Sequence, residues 1–136
     1  MKRLLVLSVV LLSGCSSFNT LIDSYLMKYD TNEYRIVAEI RTDAEKYKTE
    51  CDNPLTSTVN SVAMADKTRL FVLYSQYQPH NQKVINSSIE LNKIAQGLKD
   101  QYVKNNKVSP MFCKLKYETL EHSAETIQKT VGAKPR

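Results

Sequence analysis

Residues 109–132 read SPMFCKLKYETLEHSAETIQKTVG, and this stretch decides the fold. Its apolar side chains recur at alternating spacings of four and three residues, at Cys113, Tyr117, Leu120, Ala124, Ile127 and Val131. This heptad spacing is typical of a helix that buries one face. Ser109 followed by Pro110 predicts the helix start, since serine can cap a helix and proline fits its first position. Gly132 predicts its end, with residues 133–136 as a frayed basic tail.

The segment before it predicts a second helix of the same kind. Pro79 interrupts the chain, Asn81 can cap the new helix, and residues 105–107 close it. The face that we expect to be buried carries six residues at heptad spacing: Val84, Ser88, Leu91, Ala95, Leu98 and Tyr102.

A further helix is predicted upstream, with Asn53 as N-cap, Pro54 as first residue and an end near Gln78. Eight residues define its predicted buried side: Leu55, Val59, Val62, Ala63, Leu70, Leu73, Tyr74 and Tyr77. Residues 70–74 are apolar all round, so we expect them to be the most enclosed part. Asp66 falls on the same stripe, either as a boundary carboxylate at the bundle edge or as a buried functional acid.

The first long helix is predicted to start at Asp30, because Glu33 follows at the spacing of a capping box. Its apolar stripe comprises Val37, Ile40, Ala44, Tyr47 and Cys51. Short connections between consecutive helices favour antiparallel neighbours. The sequence therefore predicts an all-α protein, in which residues 31–136 form an antiparallel up-down four-helix bundle.

The amino-terminal residues have the order of an export signal. Lys2 and Arg3 precede the apolar run LLVLSVVLL over residues 4–12. As a helix this run is only about 14 Å long, whereas a bilayer core needs about 30 Å, so it is too short to span a membrane. The run ends in LSGC over residues 12–15, which resembles the lipobox of bacterial lipoprotein precursors.

The resemblance implies that residues 1–14 are a signal peptide removed before Cys15, which would carry a diacylglycerol and an acylated amino group. Several acyl chains hold a protein on a bilayer stably, whereas one holds it only marginally. Ser16 and Ser17 follow the cysteine, which by the same resemblance favours the outer membrane, facing the periplasm. The alternative is a soluble secreted protein in which Cys15 is incidental.

Residues 15–30 are expected to form a lipidated tether and a short amphipathic helix. That helix would either lie on the membrane surface or cover one end of the bundle.

Cys51 and Cys113 remain as an even pair in an oxidising compartment, where disulfides persist. In the predicted topology both lie at one end of the bundle and face the core, so we expect one disulfide between them. The alternative is two free thiols or a metal site. No CxxC occurs, and neither His80 nor His122 stands at ligand spacing from either cysteine, so we expect no metal.

Net charge and sequence motifs limit the functions that we expect. The precursor has 136 residues and a net charge of +5, which would fall to +3 without Lys2 and Arg3. Its charges are interspersed, so we expect no nucleic-acid binding. No hydrolase, zinc-protease, P-loop or dinucleotide motif is present, and His122 among glutamates is interpreted as part of a solvated face. We therefore expect neither an enzyme nor a cofactor.

The favoured function is that of a tethered periplasmic adaptor, bound to the membrane through its lipid and holding a protein partner. In size and helical character the chain is similar to secretin pilotins, although no pilotin motif matches residue by residue. A phage-encoded lipoprotein acting in host lysis, like an outer-membrane spanin subunit, or in superinfection exclusion is the second hypothesis. The third hypothesis is a cell-wall enzyme or enzyme inhibitor, which is supported only by the expected compartment and the mild basicity of the chain.

Overall fold

Four helices make up the body of the protein in the computed structural model, which describes residues 22, 26, 27–105 and 107–136. They are α1 (Thr31–Lys48), α2 (Pro54–Gln76), α3 (Gln82–Asn105) and α4 (Pro110–Gly132). The predicted all-α, antiparallel four-helix bundle is confirmed.

The predicted signal peptide and the lipidation site Cys15 lie outside the described residues. So does most of the predicted tether and short helix over 15–30, of which Ile22 and Leu26 are helical and exposed. Among the helices that the structure describes, none is both long enough and apolar enough to cross a membrane.

Side-chain caps fix where the helices begin. Asp30 Oδ1 accepts a hydrogen bond from the Glu33 backbone N–H at 2.7 Å. Asn53 accepts from two N–H groups of α2 at 3.1 Å, and Ser109 accepts from an N–H of α4 at 3.2 Å. Each bond satisfies a backbone donor that the helix itself leaves without a partner. Three of the four predicted caps, Asp30, Asn53 and Ser109, are confirmed.

The helices pack as a ring, with α1 most extensively against α4 and α2 against α3. Two contacts show that α1 and α4 are antiparallel. Arg41 Nη1 donates to Gln128 Oε1 at 3.3 Å, and Lys48 Nζ donates to Glu121 Oε2 at 2.6 Å. Between the two contacts the chain advances seven residues along α1 and retreats seven along α4. The hydrogen bond to Glu121 also raises the pKa of Lys48.

The predicted stripes of α1, α3 and α4 form the core. All six stripe residues of α4 and all six of α3 are buried. In α1, Val37, Ile40 and Ala44 are completely buried and Tyr47 is half-buried. The periodicity of these three helices therefore identified the correct inward face.

One disulfide joins the ends of α1 and α4. Cys51 lies in the turn after α1 and is bonded to Cys113 in the first turn of α4. Their Cα atoms are 5.8 Å apart, inside the limit of about 7 Å for a bridge. The predicted Cys51–Cys113 bridge is present.

Candidate functional site

The outer face of α2 is the most unusual surface of the bundle. Tyr77 is 88% exposed, Leu55 82%, Val59 68% and Leu70 54%, and three further residues of the predicted core stripe are also exposed: Val62, Ala63 and Leu73. The prediction that this stripe is buried was therefore wrong. We call the seven positions Leu55, Val59, Val62, Asp66, Leu70, Leu73 and Tyr77 the outer stripe.

The opposite face of α2 enters the core although it is less apolar. Its buried residues are Ser57, Asn60, Ser61, Met64, Ala65, Thr68, Phe71 and Ser75. Small side chains at this face let α2 and α3 approach closely, since Ala65 lies on one helix and Ala95 on the other, both without significant exposure. The prediction that residues 70–74 are the most enclosed holds only for Phe71.

Local hydrogen bonds remove most of the cost of burying hydroxyl groups. Ser61 Oγ donates to the Thr58 carbonyl at 2.7 Å, and Thr68 Oγ1 lies 2.9 Å from the Met64 carbonyl and 3.0 Å from Asn92 Oδ1 of α3. A buried hydroxyl that finds such a partner avoids the desolvation penalty of an unpaired one. Polar residues therefore do not force this face outward.

Contacts with α1 and with the turn that follows it fix the rotation of α2. Asn60 Nδ2 donates to Glu50 Oε2 at 2.6 Å, and Lys67 pairs with Asp43 across the helix interface. Burial alone would lower the pKa of Lys67, but the hydrogen bond to Asp43 and the negative charges of Asp43 and Glu39 together raise it overall. Both links lie on the side that brings Met64 and Phe71 inward, which leaves the outer stripe in solvent.

Only three charged residues occur in the whole of α2, and they cluster at its centre: Asp66, Lys67 and Arg69. Lys67 is engaged with Asp43, so Asp66 and Arg69 are the charges of the outer face, where both are exposed. The hypothesis of a buried functional acid at Asp66 was wrong. An exposed helix face with so few charges is unlike an ordinary solvated surface.

A buried ionic cluster lies at the other notable position, the end of the bundle where α1 begins. Lys134 Nζ pairs with Glu33 and donates to Asn81 Oδ1 at 2.7 Å, and Asn81 Nδ2 donates to Glu33 Oε1 at 2.6 Å. All three residues are buried. The cluster joins the start of α1, the turn before α3 and the carboxyl-terminal segment.

The frayed tail predicted for residues 133–136 was therefore wrong. Besides the Lys134 pair, the Tyr29 backbone N–H donates to the Pro135 carbonyl at 2.8 Å, and Arg136 lies over the Tyr29 ring. A buried carboxylate needs a cation and hydrogen bonds to offset its desolvation, and Glu33 obtains both from this segment.

A hydrogen bond also joins the amino-terminal cap of α1 to α2 at this end of the bundle. Tyr74 Oη donates to Asp30 Oδ1 at 2.8 Å, and burial together with this bond raises the pKa of Tyr74. This end also bears the chain that leads back to residue 15. Within the described part of the chain, the Glu33 carboxylate contacts Asn81 and Lys134, which joins three segments of the bundle.

A shallow open groove lies between α3 and α4. Its lining includes Ser87, Glu90, Ile94 and Ser123. The Ser87 hydroxyl donates a hydrogen bond to the Lys83 carbonyl, and Glu90 pairs with Lys93 in solvent. Ser87 and Glu90 are thus each bonded to a residue of their own helix.

The histidines are separated from each other. His122 is exposed on α4, with Nδ1 3.9 Å from Glu125, and His80 lies in the exposed turn before α3 with a positive φ of 56°. Within the described part of the chain, no three His, Cys, Asp or Glu side chains are grouped so as to hold a metal ion.

Sequence reasoning missed the ionic cluster, although its signal was present. Glu33, Asn81 and Lys134 each occupy the next heptad position beyond the apolar stripes of α1, α3 and α4, four or three residues from Val37, Val84 and Val131. A stripe position with a charged residue predicts a buried partner of opposite charge.

No protein-family model, curated protein or solved structure matches this chain.

Proposed function

We propose that this protein is a lipid-anchored, non-catalytic binding protein of the cell envelope that holds a protein partner through the outer face of α2. The observation that carries this proposal is the outer stripe, in which six exposed apolar residues with Asp66 at their centre run the length of α2. Single exposed apolar residues are ordinary, whereas a contiguous stripe is typical of an interaction surface.

The anchor is supported by the lipobox at residues 12–15. The chain that follows the lipobox enters the bundle at Tyr29 and Asp30, beside Tyr74 of α2. A partner bound along α2 would thus be held close to the membrane. The opposite end of the bundle carries the disulfide.

The polar groups support a binding role over catalysis. Glu33 and Lys134 neutralise each other in the core, and Lys67 is engaged by Asp43. A general base must instead be free to reach a substrate proton in a cleft. The strongest surface feature of the described residues is apolar, and apolar area removed from water is what drives protein association.

Lipidation is tested on the full-length chain expressed in a bacterial host. We expect radiolabelled palmitate to be incorporated, and the intact mass of the mature protein to match a triacylated chain beginning at Cys15. The matched control, Cys15→Ala, should incorporate none. An unmodified amino terminus in the wild-type protein would remove the anchor from the proposal.

The binding face is tested by photo-crosslinking in living cells. A photoreactive phenylalanine analogue at Val59 or Leu73, both on the outer stripe, should give a discrete crosslinked product. The control position is Lys93 on α3, which is equally exposed but lies on a charged surface. If the α2 positions give no more product than Lys93, α2 is not a binding face.

A further inference from the structure

We infer that the partner of the outer stripe is a second copy of this chain, with the two α2 helices antiparallel about a twofold axis that passes at Asp66. This inference rests on the proposed function, since it names the partner of the same face. Most soluble homodimers are of this kind, in which one patch meets an identical patch.

The spacing of the outer stripe is symmetric about its centre. From Asp66 the next stripe residues lie four, seven and eleven positions away in both directions: Val62, Val59 and Leu55 on one side, Leu70, Leu73 and Tyr77 on the other. In an antiparallel pair centred on Asp66, Leu55 would therefore meet Tyr77, Val59 would meet Leu73, and Val62 would meet Leu70. Every apolar residue of the stripe then has an apolar partner.

The charges at the centre complement themselves under the same symmetry. Arg69 lies three residues after Asp66 and Ala63 three residues before it, so Arg69 of one copy falls opposite Ala63 of the other. The small alanine leaves room for the guanidinium, which can reach the Asp66 carboxylates beside the axis. Two arginines and two aspartates form a neutral centre, and like-charge repulsion between the two carboxylates is offset.

The composition of the face argues against a bilayer as its occupant. Helices that lie on membranes carry lysine and arginine along the border of their apolar face, to meet anionic head groups. The outer face of α2 has one cation, Arg69, and the adjacent Asp66 balances it.

The size of the face explains why the anchor matters. A helix of 23 residues is about 35 Å long, and a contact strip about 10 Å wide gives roughly 350 Å² per copy. This is less than half of the roughly 800 Å² per partner in a stable interface, so we expect a weak dimer in dilute solution. Anchoring both copies on one membrane raises their effective concentration and makes so small an interface sufficient.

Crosslinking with single cysteines tests the geometry in the lipidated full-length chain, in membranes, with a short bis-maleimide reagent. Val62→Cys and Leu70→Cys should give a crosslinked dimer when the two variants are coexpressed, because these positions meet across the axis and the Asp66 and Arg69 charges are kept. Leu55→Cys and Tyr77→Cys should give a dimer only when the two variants are coexpressed, since each position meets the other. Lys93→Cys on α3 is the exposed control and should give none.

Each alternative outcome overturns the inference. A dimer from Leu55→Cys alone would mean parallel pairing, and no dimer above the Lys93→Cys control would mean that the copies do not pair. A photo-crosslinked product from Val59 or Leu73 whose mass is not twice that of the chain would show a different protein on the face. In that case the proposed function would stand and the second copy would be excluded.

A charge exchange gives an independent test at positions that contribute nothing to the core. Arg69→Asp would place four carboxylates at the axis. We expect the amount of dimer detected by photo-crosslinking from Leu73 to fall at least tenfold. The double variant Asp66→Arg with Arg69→Asp restores the alternation of charges and should restore the dimer. Circular dichroism of each variant verifies the fold, and failure of the double variant to recover would contradict the pairing.

Discussion

α4 and α2 have equal lengths and similar starts, yet sequence periodicity identified the buried face of one and the exposed face of the other. In α4 every apolar stripe residue from Cys113 to Val131 is buried. In α2 the most apolar stripe faces solvent, and a face of serine, threonine, alanine and two large apolar residues is inside. Hydrophobicity alone does not decide the rotation of a helix that is apolar on two sides.

Spacing distinguishes the two faces of α2 where hydrophobicity does not. The buried face contains Ser57, Ser61, Met64, Thr68, Phe71 and Ser75, which repeat the alternation of four and three found in α4. The outer stripe breaks this alternation at Asp66, where two spacings of four meet. An uninterrupted heptad is the pattern that keeps one face turned toward neighbouring helices.

Replacing Lys134 with methionine tests whether the heptad spacing of α4 extends past the helix end to a buried charged residue that stabilises the fold. The change leaves Glu33 buried without a cation, so we expect a loss of about 3–5 kcal/mol in the free energy of unfolding. Urea denaturation monitored by circular dichroism measures it.

Lys129→Met is the matched control, five residues earlier on α4. Lys129 is exposed and pairs with Glu125 in solvent, so its loss should leave the urea midpoint nearly unchanged. The double variant Glu33→Gln with Lys134→Met removes the stranded charge and should recover part of the loss. Equal midpoints for Lys134→Met and the wild type would mean that the cluster does not support the fold.

A pair of leucine-to-alanine changes compares the two stripes directly. Leu120 of α4 is completely buried, and its truncation should cost about 2–5 kcal/mol, because a cavity remains in the core. Leu70 of α2 is more than half exposed, and the same change there should alter stability by no more than about 0.5 kcal/mol. Similar losses at both positions, measured by urea denaturation, would mean that α2 is rotated relative to this structure.

The helix starts could be predicted from the sequence, whereas the rotation of α2 could not. Asp30, Asn53 and Ser109 predicted the helix starts because capping depends on a few neighbouring residues. The rotation of α2 could not be predicted in the same way, since it depends on Asp43 of α1 and on Glu50 in the turn after α1. The position of Lys134 likewise depends on Glu33, about a hundred residues earlier in the chain.

The candidate site shows the same division. The residues of the outer stripe were identified from their periodicity, but they were predicted to be buried, because an exposed apolar stripe and a stripe that fills a core can have the same composition. The contacts that distinguish them, Lys67 with Asp43 and Asn60 with Glu50, join residues that no local pattern relates.

The disulfide ties α4 to α1, whereas no disulfide ties α2 among the described residues. Its removal in Cys51→Ser with Cys113→Ser opens a loop of 62 residues, for which chain entropy predicts an upper limit of about 4 kcal/mol. We expect the melting temperature to fall by many degrees. A reductant should lower the wild-type melting temperature to a similar value and leave the variant unchanged; a wild-type melt insensitive to full reduction would contradict this.

The smallest change in stability is expected at Tyr117, the largest completely buried side chain of the α4 stripe. Its hydroxyl is buried and has no hydrogen-bond partner within the described residues, while its ring packs edge-on against Tyr47 at 5.7 Å between centroids. Tyr117→Phe keeps the ring and removes the unpaired hydroxyl. We expect the variant at pH 7 to be as stable as the wild type, or more stable by about 1 kcal/mol.

Alkaline pH should widen this difference, because burial, followed by the nearby Tyr102, Tyr47 and Glu50, raises the pKa of Tyr117. Below the ordinary tyrosine pKa of about 10, both the folded and unfolded chains keep the proton and stability is unaffected. Above it the unfolded chain ionises first, so the wild-type protein loses stability that the phenylalanine variant retains. Melting temperatures of both proteins between pH 8 and 11 measure this loss. A wild type more stable than Tyr117→Phe throughout would mean that the hydroxyl has a partner, as the buried Ser61 and Thr68 hydroxyls of α2 do.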